Sequence, residues 1–235
     1  MTENSSDDDG DDGGDGGGWE GAYASTDAVG WDTGDPQPAV KDLVDAGAFT
    51  DPVLDVGCGL GTESCYLANA GYDVLGVDVA PTAIERARET AADRDLDVRF
   101  EAGDAFALGT PAGVVDADWA GSVLDVGVFH AIEPARRSAY ADALARVLEP
   151  GGRAFVLSFA PGAPEDWPPN LISRDDVRDA FDVGDSDRGD SDGEDSDHGD
   201  SDGDWRVVDL RDETYVSRGG EVPALLAILE WSTED

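Results

Sequence analysis

The chain has 235 residues, 54 of them acidic and 15 basic, so its formal net charge is −39; 40% of its residues are hydrophobic, enough for one α/β core. This balance excludes nucleic acid as a partner, because phosphate binding requires a basic surface. No apolar stretch approaches the ~20 residues of a membrane helix, and the acidic, glycine-rich start is unlike a signal peptide. We therefore expect a cytoplasmic protein without a membrane or nucleic-acid partner.

Two acidic segments are predicted to lie outside the fold. Residues 1–18 are mainly Asp, Gly and Ser, which bury too little surface to offset the entropy of ordering. Residues 184–203 repeat a pentapeptide four times, a period too short for any solenoid unit. We expect a disordered tail at 1–18 and one domain over 19–235, interrupted by an acidic low-complexity surface loop at 184–204.

The segment Val53-Leu-Asp-Val-Gly-Cys-Gly-Leu-Gly-Thr62 predicts a buried strand, a glycine turn and a helix over about 62–70. Glycines let the backbone turn sharply and approach a ligand closely, and a helix N-terminus offers unpaired N–H groups. A nucleotide-like cofactor is therefore expected at the first βα turn of an open sheet.

Asp55 at the end of this strand indicates which cofactor binds. A carboxylate there would repel a pyrophosphate, and Thr62 stands where a dinucleotide fingerprint needs a small residue. The pattern resembles motif I of the class I S-adenosylmethionine-dependent methyltransferases. That resemblance implies that Asp55, Gly57 and Gly59 hold the methionine end of S-adenosylmethionine.

Two further strands are predicted to end in carboxylates. The strand over 71–78 ends in Asp78, 23 residues after Asp55, which is the sequence spacing expected of a ribose-binding acid. Val79, which follows it, is also predicted to bind the cofactor. After a helix from Pro81, the strand over 97–102 leads to Asp104 and Ala105, where the resemblance implies adenine binding. The alternative is three surface aspartates in an Asp-rich chain.

The remaining pattern continues the alternation of strands and helices. Strands are predicted at 115–124, 153–159, 205–215 and 222–231, and helices at 134–148 and 174–181. The short link at 218–221 predicts an antiparallel hairpin. We therefore predict an α/β fold with a Rossmann-like, doubly wound, seven-stranded, mostly parallel sheet and one antiparallel strand, which the methyltransferase resemblance, covering residues 31–231, also implies.

Two local segments bear on the methyl acceptor. Trp31-Asp-Thr-Gly-Asp-Pro-Gln-Pro38 and Leu124-Asp-Val-Gly-Val-Phe-His130 resemble segments of the thiopurine methyltransferase superfamily, which includes halide and thiol methyltransferases. Val126 stands where those proteins often carry arginine. The resemblance implies a small, soft nucleophile as acceptor, such as a thiol, thiopurine, halide or chalcogen oxyanion.

Candidate catalytic residues follow the fourth strand. A thiol is partly ionised at neutral pH and needs little help from a base, whereas a hydroxyl would need one. Asp125 and His130 are the candidates: His130 to accept a proton or merely to pack, Asp125 to line the pocket near the cofactor. Trp31 and Phe129 are expected to turn aromatic faces toward the cationic methyl group, with Trp31 also fixing the N-terminal arm.

The sequence thus predicts an S-adenosylmethionine-dependent methyltransferase acting on a small molecule. A nicotinamide-dependent oxidoreductase and a non-catalytic cofactor-binding protein of the same fold remain as alternatives. No metal site is predicted, since Cys58 and Cys65 are expected to be small buried side chains. The oligomeric state is left open.

The acidity itself is interpreted as adaptation to solvent. Lys41 is the only lysine, and all other basic residues are arginine. Self-repulsion would strain the compact state in dilute buffer, but at about 1 M salt the Debye length falls to about 3 Å. The composition resembles that of proteins from salt-accumulating halophiles; recruitment of a basic partner is the alternative.

Overall fold

The computed structural model describes residues 16–24, 29–164, 170–183 and 203–233, with side chains from Gly18 onward. Residues 1–15 of the predicted tail and 184–202 of the predicted loop lie outside the described residues. The first helix begins at Gly16, so residues 16–18 are helical where disorder was predicted. Residues 203 and 204, assigned to the loop from sequence, belong to a strand.

The described residues form seven strands, six α-helices and three short 3₁₀ turns. The strands are β1 Val53–Val56, β2 Val74–Asp78, β3 Arg99–Ala102, β4 Ala120–Val126, β5 Leu148–Phe159, β6 Gly203–Ser217 and β7 Gly220–Thr233. The helices are α1 Gly16–Ala24, α2 Pro38–Asp45, α3 Thr62–Asn69, α4 Pro81–Asp93, α5 Arg137–Val147 and α6 Arg174–Ala180. The 3₁₀ turns are Ala105–Ala107, Phe129–Ala131 and Pro134–Arg136.

All seven strands form one sheet in the order β3-β2-β1-β4-β5-β7-β6. The pairs from β3 to β5 are parallel, whereas β7 runs antiparallel to both β5 and β6. This is the predicted doubly wound sheet with one reversed strand, and the fold class is confirmed. The order changes direction between β1 and β4, and such a switch point leaves a crevice at the carboxyl ends of the strands.

Helices cover both faces of the sheet because its strands are apolar on both sides. One core cluster packs α5 and α6 against Leu54, Val77 and Val123. A second cluster packs residues of α2 and α3 against Leu124 and Phe155. The crevice is thus held by strands whose positions are fixed from two sides.

The fourth strand is displaced from its predicted position. It runs over Ala120–Val126 instead of 115–124, because Asp118 has a left-handed backbone with φ +51° and its N–H donates to Arg146 O. The preceding Val115 is buried, but in a turn, where its carbonyl accepts from Gly109 N. Its apolar side chain therefore packs in the core without belonging to the sheet.

Candidate active site

A cavity of about 940 Å³ opens at the carboxyl ends of β1, β2 and β4. Asp55, Asp78 and Asp104 all line it, so the three predicted carboxylates share one crevice. Six other predicted residues also line it: Trp31, Gly57, Gly59, Val79, Ala105 and His130. The cavity therefore combines nearly every residue that the sequence predicted for the site.

The glycine turn after β1 forms the floor of this cavity. Gly57 and Gly59 have left-handed backbones, with φ +67° and +52°. A Cβ on Gly59 would lie 2.8 Å from Tyr23 Oη, and one on Gly57 would collide with the side chain of Val128. Both the backbone conformation and the close approach of Tyr23 and Val128 thus require glycine at these two positions, and the turn lines the cavity.

Asp78 ends β2 and reinforces the turn. Its Oδ2 accepts from Gly59 N and its Oδ1 from Ala80 N, each at 2.9 Å. Burial raises the pKa of this carboxyl group, although both backbone bonds favour the ionised form. Each carboxylate oxygen has a second lone pair, so Asp78 can still accept hydrogen bonds from ligand hydroxyl groups.

Asp104 follows β3 and caps the 3₁₀ turn Ala105–Ala107. Its Oδ1 accepts from Phe106 N at 2.9 Å, and the residue is otherwise exposed. Val79, 40% exposed, lies next to Asp78 on the cavity wall. Asp104 provides polar surface and Val79 apolar surface next to each other, which suits the binding of a nucleoside.

Asp55 is only 1% exposed, and its Oδ2 accepts from Ser64 Oγ at 2.5 Å. Burial raises the pKa of its carboxyl group to about 7, opposed by the Ser64 hydrogen bond. Such a group gains from a nearby cation, which favours its ionised form. The carboxyl group thus lies at the end of β1 where the sequence predicted it, beneath the cavity surface.

Trp31 belongs to an aromatic wall that sequence analysis recovered only in part. Its Nε1 donates to Tyr23 Oη at 3.4 Å, and its ring meets those of Trp19 and Tyr23 edge to face. Trp19 and Tyr23 come from α1, which was not predicted, and both line the cavity. The glycine-rich sequence of α1 gave no helical signal that would have identified them.

The segment from residue 29 to 37, here called the arm, is fixed against the β6–β7 turn. Gln37 Nε2 donates to Val216 O at 2.9 Å, and Val216 N donates to Gln37 Oε1 at 2.8 Å. Arg218 Nε donates to Asp32 O, and Arg218 N donates to Gly30 O. The arm and the hairpin thus form two connected walls of the cavity.

The structure corrects the prediction that Asp125 lines the pocket. It does not line the cavity: it is fully buried, and it accepts from Val128 N, Phe129 N and Tyr140 Oη at 2.7 to 3.0 Å. Burial raises the pKa of its carboxyl group to about 6. Phe129 is also fully buried and faces the core, so it offers no surface to a methyl group.

His130 lines the cavity, but its environment does not favour a role as a base. Its Nδ1 accepts from Phe159 N at 3.3 Å, and its ring stacks on that of Phe159. Burial lowers the pKa of the imidazole to about 3. With Nδ1 in use, the neutral ring carries its proton on Nε2, which makes that atom a hydrogen-bond donor.

Two lining residues from distant parts of the chain were missed. Glu63, from the first turn of α3, accepts from Gln37 N through Oε1, while Oε2 is buried without a partner among the described residues. Burial raises the pKa of its carboxyl group to about 8. Tyr215, near the end of β6, is 4% exposed and borders the same space. Neither stands in a motif, so only the fold could reveal them.

The charge of the lining fits a cationic cofactor. Its acidic residues are Asp32, Asp35, Asp55, Glu63, Asp78 and Asp104, against Arg136 as the basic one among the described residues. A pyrophosphate would be repelled here, whereas a sulfonium or an amine is favoured. With the open glycine turn, the cavity therefore fits S-adenosylmethionine and has the volume for a small second ligand.

A reversed β7, a glycine turn after β1 and acidic strand ends together define a class I methyltransferase. Residues 53–152 match the family described as "Methyltransferase domain". The chain is 33% identical to 2-heptyl-1-hydroxyquinolin-4(1H)-one methyltransferase of Mycobacteroides abscessus, covering 63% of this chain and 65% of that protein. It is 30% identical to probable thiol methyltransferase 2 of Arabidopsis thaliana, covering 74% and 70%.

A solved structure, described as conversion of a disulfide bond into a thioacetal group during echinomycin biosynthesis, superposes with a TM-score of 0.70 at 30% identity. The superposition covers 88% of this chain and 86% of the other. The chain belongs to the class I S-adenosylmethionine-dependent methyltransferases. It is an enzyme that uses S-adenosylmethionine to methylate a small molecule, so the oxidoreductase and non-catalytic alternatives are set aside.

Within the parts of the chain that the structure describes, no helix has the length and apolar character needed to cross a bilayer. The two cysteines, Cys58 and Cys65, are both buried with free thiols, as predicted.

Proposed function

We propose that this enzyme transfers the methyl group of S-adenosylmethionine to a small thiol or a similarly soft, easily ionised nucleophile. The observation that carries the proposal is the state of the two residues offered as bases: Asp125 lies outside the cavity, and His130 uses Nδ1 to accept from Phe159 N. An acceptor that ionises in water avoids the need for either. Similarity to a thiol methyltransferase supports the same class.

The cofactor is proposed to lie along the three strand ends. Asp78 would accept from the ribose hydroxyls, and Asp104 with the Ala105 backbone would meet the adenine. Asp55 would supply negative charge beneath the methionine amine, next to the open backbone of Gly57 and Gly59. When bound, the cofactor supplies an electrophilic methyl group; the residues bind it, orient the acceptor and exclude water.

A second acceptor class is supported by another relative. The protein of Mycobacteroides abscessus is named for an N-hydroxylated quinolone, and Trp19, Trp31 and Phe159 give this cavity aromatic walls for a flat ring. An acidic hydroxyl on such a ring would also arrive ionised. We rank it second, because the acceptor segments around Trp31 and His130 resemble those of thiol methyltransferases.

Methyl transfer from radiolabelled S-adenosylmethionine, measured in molar KCl, tests the proposal. The acceptor panel contains alkyl and aryl thiols, halides, nitrophenols and an N-hydroxyquinolone. Labelled thioethers, with kcat/KM for thiols above that for the other acceptors, are expected. Faster transfer to the hydroxyl acceptors would replace the first proposal with the second. Transfer only to weakly acidic alcohols or amines would contradict both.

We also propose that the enzyme works in a salt-rich cytoplasm. The support is the net charge of −39 and the near-absence of lysine. Such a charge density destabilises the compact state unless counterions screen it.

A further inference from the structure

A small space above Gly127 lies between two hydrogen-bond donors. Gly127 follows β4 and has φ +100°, a conformation that favours glycine. A methyl group built on it would lie 3.3 Å from His130 Cε1, 3.6 Å from Tyr215 Oη and 3.7 Å from His130 Nε2. Because glycine has no side chain, the space beyond its Cα stays open to a ligand atom and borders both polar groups.

Both groups can donate a hydrogen bond into this space. His130 Nδ1 accepts from Phe159 N, so the ring proton lies on Nε2. Tyr215 Oη makes no hydrogen bond to any residue that the structure describes, while its ring packs on that of Phe159. Phe159 thus supports both donors, one through its backbone and the other through its ring.

The surroundings keep the Tyr215 proton in place. Burial, followed by the carboxyl groups of Glu63 and Asp32, raises the pKa of the Tyr215 hydroxyl, and Tyr23 and Asp125 act in the same direction. Burial lowers the pKa of His130. Neither residue therefore takes a proton from an acceptor at neutral pH, but each can donate to a lone pair.

We propose that the acceptor atom binds above Gly127 as an anion, held by hydrogen bonds from Tyr215 Oη and His130 Nε2. This inference rests on the proposed function and narrows it to acceptors that release their proton to water before the reaction. The space opens into the same cavity as the cofactor-binding strand ends, because Gly127 and Asp55 both line it.

The resulting transfer moves no proton on the enzyme. The acceptor anion forms a bond to the methyl carbon while the bond from that carbon to the sulfonium sulfur breaks. The electron pair of the broken bond stays on that sulfur, so a thiolate and a sulfonium become two neutral thioethers. Two donors lower the energy of the anion before transfer and align its lone pair, a positioning role rather than acid–base catalysis.

The test uses Tyr215→Phe, which removes one donor and keeps the ring against Phe159. The matched control is Tyr72→Phe, which removes a hydroxyl from a half-buried tyrosine outside the cavity. We expect Tyr215→Phe to lower kcat/KM for thiols by about 10- to 100-fold, as for loss of one preorganised donor. Calorimetry should show unchanged affinity for S-adenosylhomocysteine.

A spectroscopic measurement separates anion binding from activity. The ionised form of 4-nitrobenzenethiol has its own absorption band, so titrating the probe against pH with the S-adenosylhomocysteine complex reports its ionisation when bound. Binding to the wild-type protein should lower the apparent pKa of the probe, and Tyr215→Phe should cancel about half of that shift. 4-Nitrophenol gives the same measurement for the hydroxyl class.

His130 provides a second pair of variants. His130→Gln can keep a donor near the Nε2 position, whereas His130→Leu cannot, so the former should retain more of the probe shift. If the wild-type enzyme methylates thiols but Tyr215→Phe matches it in both rate and probe shift, the donor pair is wrong and the proposed function stands. If 4-nitrophenol alone binds ionised, the donor pair stands and the thiol acceptor is wrong.

Discussion

Asp78 has two tasks that a surface aspartate does not have. It ties the glycine turn to the end of β2 through Gly59 N and Ala80 N, and it keeps lone pairs directed at the cavity. The same carboxylate thus shapes the turn and is proposed to bind the ribose. Its replacement removes both contributions.

Asp78→Ala is expected to weaken S-adenosylmethionine binding by about 1–3 kcal/mol, as for loss of hydrogen bonds to a charged group. Isothermal calorimetry in molar KCl measures it. Asp93→Ala is the control, because Asp93 is exposed at the end of α4. Equal affinities for the two variants would contradict the ribose role, provided that both retain the wild-type melting temperature.

At the scale of residues, the sequence predicted what strand ends make visible. Asp55, Asp78 and Asp104 each follow an apolar run, and parallel strands bring such positions to one edge. Asp125 follows the same rule but is buried, because the turn after β4 folds its own N–H groups back onto the carboxylate. Tyr215 could not be identified, since its place depends on long-range packing.

The arm and the β6–β7 hairpin are separated by some 180 residues of chain, but hydrogen bonds connect them into one part of the cavity wall. The amide of Gln37 is the main connection, because it pairs with both backbone groups of Val216. Burial of Gln37 to 4% exposure leaves no water to replace these bonds. The position of Trp31 over the cavity therefore depends on a side chain whose amide is bound to the hairpin.

Gln37→Glu tests this dependence, because a carboxylate can accept from Val216 N but cannot donate to Val216 O. Hydrogen exchange at the amides of Val216 and Arg218 is expected to accelerate by about tenfold or more, and KM for S-adenosylmethionine to rise. Exchange at Leu54 in β1 serves as the internal control. Unchanged exchange at Val216 would show that the arm is held by other contacts.

Helices and strands were predicted correctly where the hydrophobic pattern and the residues that mark element ends agreed. The turn at Arg218 was found from its glycine pair, and the helix start at Pro81 from proline at the first helical position. The helix α2 was missed although Pro38 stands at its first position and Val40 and Leu43 are buried. Its N-cap residue makes no side-chain capping hydrogen bond, and unlike α3 this helix does not follow a glycine motif.

At the scale of the whole molecule, buried acids make stability depend on pH. Burial raises the folded-state pKa of Asp55 to about 7 and of Glu63 to about 8. Their unfolded values lie near 4, so the folded state binds more protons in between, and stability is lost as pH rises through the folded values. His130 opposes this only below about pH 6.5, because its folded pKa is lowered.

We therefore expect the free energy of unfolding to fall between pH 6.5 and 8.5, by at most about 1.4 kcal/mol per pH unit for each proton released. Urea unfolding at constant molar KCl measures the slope. In Glu63→Gln the slope should be shallower, since the amide keeps an oxygen for Gln37 N but does not titrate. A stability that increases across this range would contradict the assignment.

Salt dependence follows from the charge of the whole chain. Raising KCl from 0.1 to 1 M shortens the Debye length from about 10 to about 3 Å, which removes most repulsion between surface carboxylates. The melting temperature is expected to rise steeply over this range and to level off above it. Calorimetric scans across a KCl series measure this, with isotonic sucrose as the uncharged control. A melting temperature independent of KCl would exclude halophilic adaptation.

The single reversed strand brings the end of the chain to the cavity lined by the residues proposed to bind the methyl donor. Because β7 runs backwards, the β6–β7 turn returns to the edge where β1 and β2 end, and Tyr215 meets the cavity from the last part of the chain. The residues proposed to bind the methyl donor lie in the first half of the chain, whereas one wall of the proposed acceptor space comes from near its end. A change at Tyr215 can therefore alter the proposed acceptor space without replacing any residue proposed to bind the methyl donor.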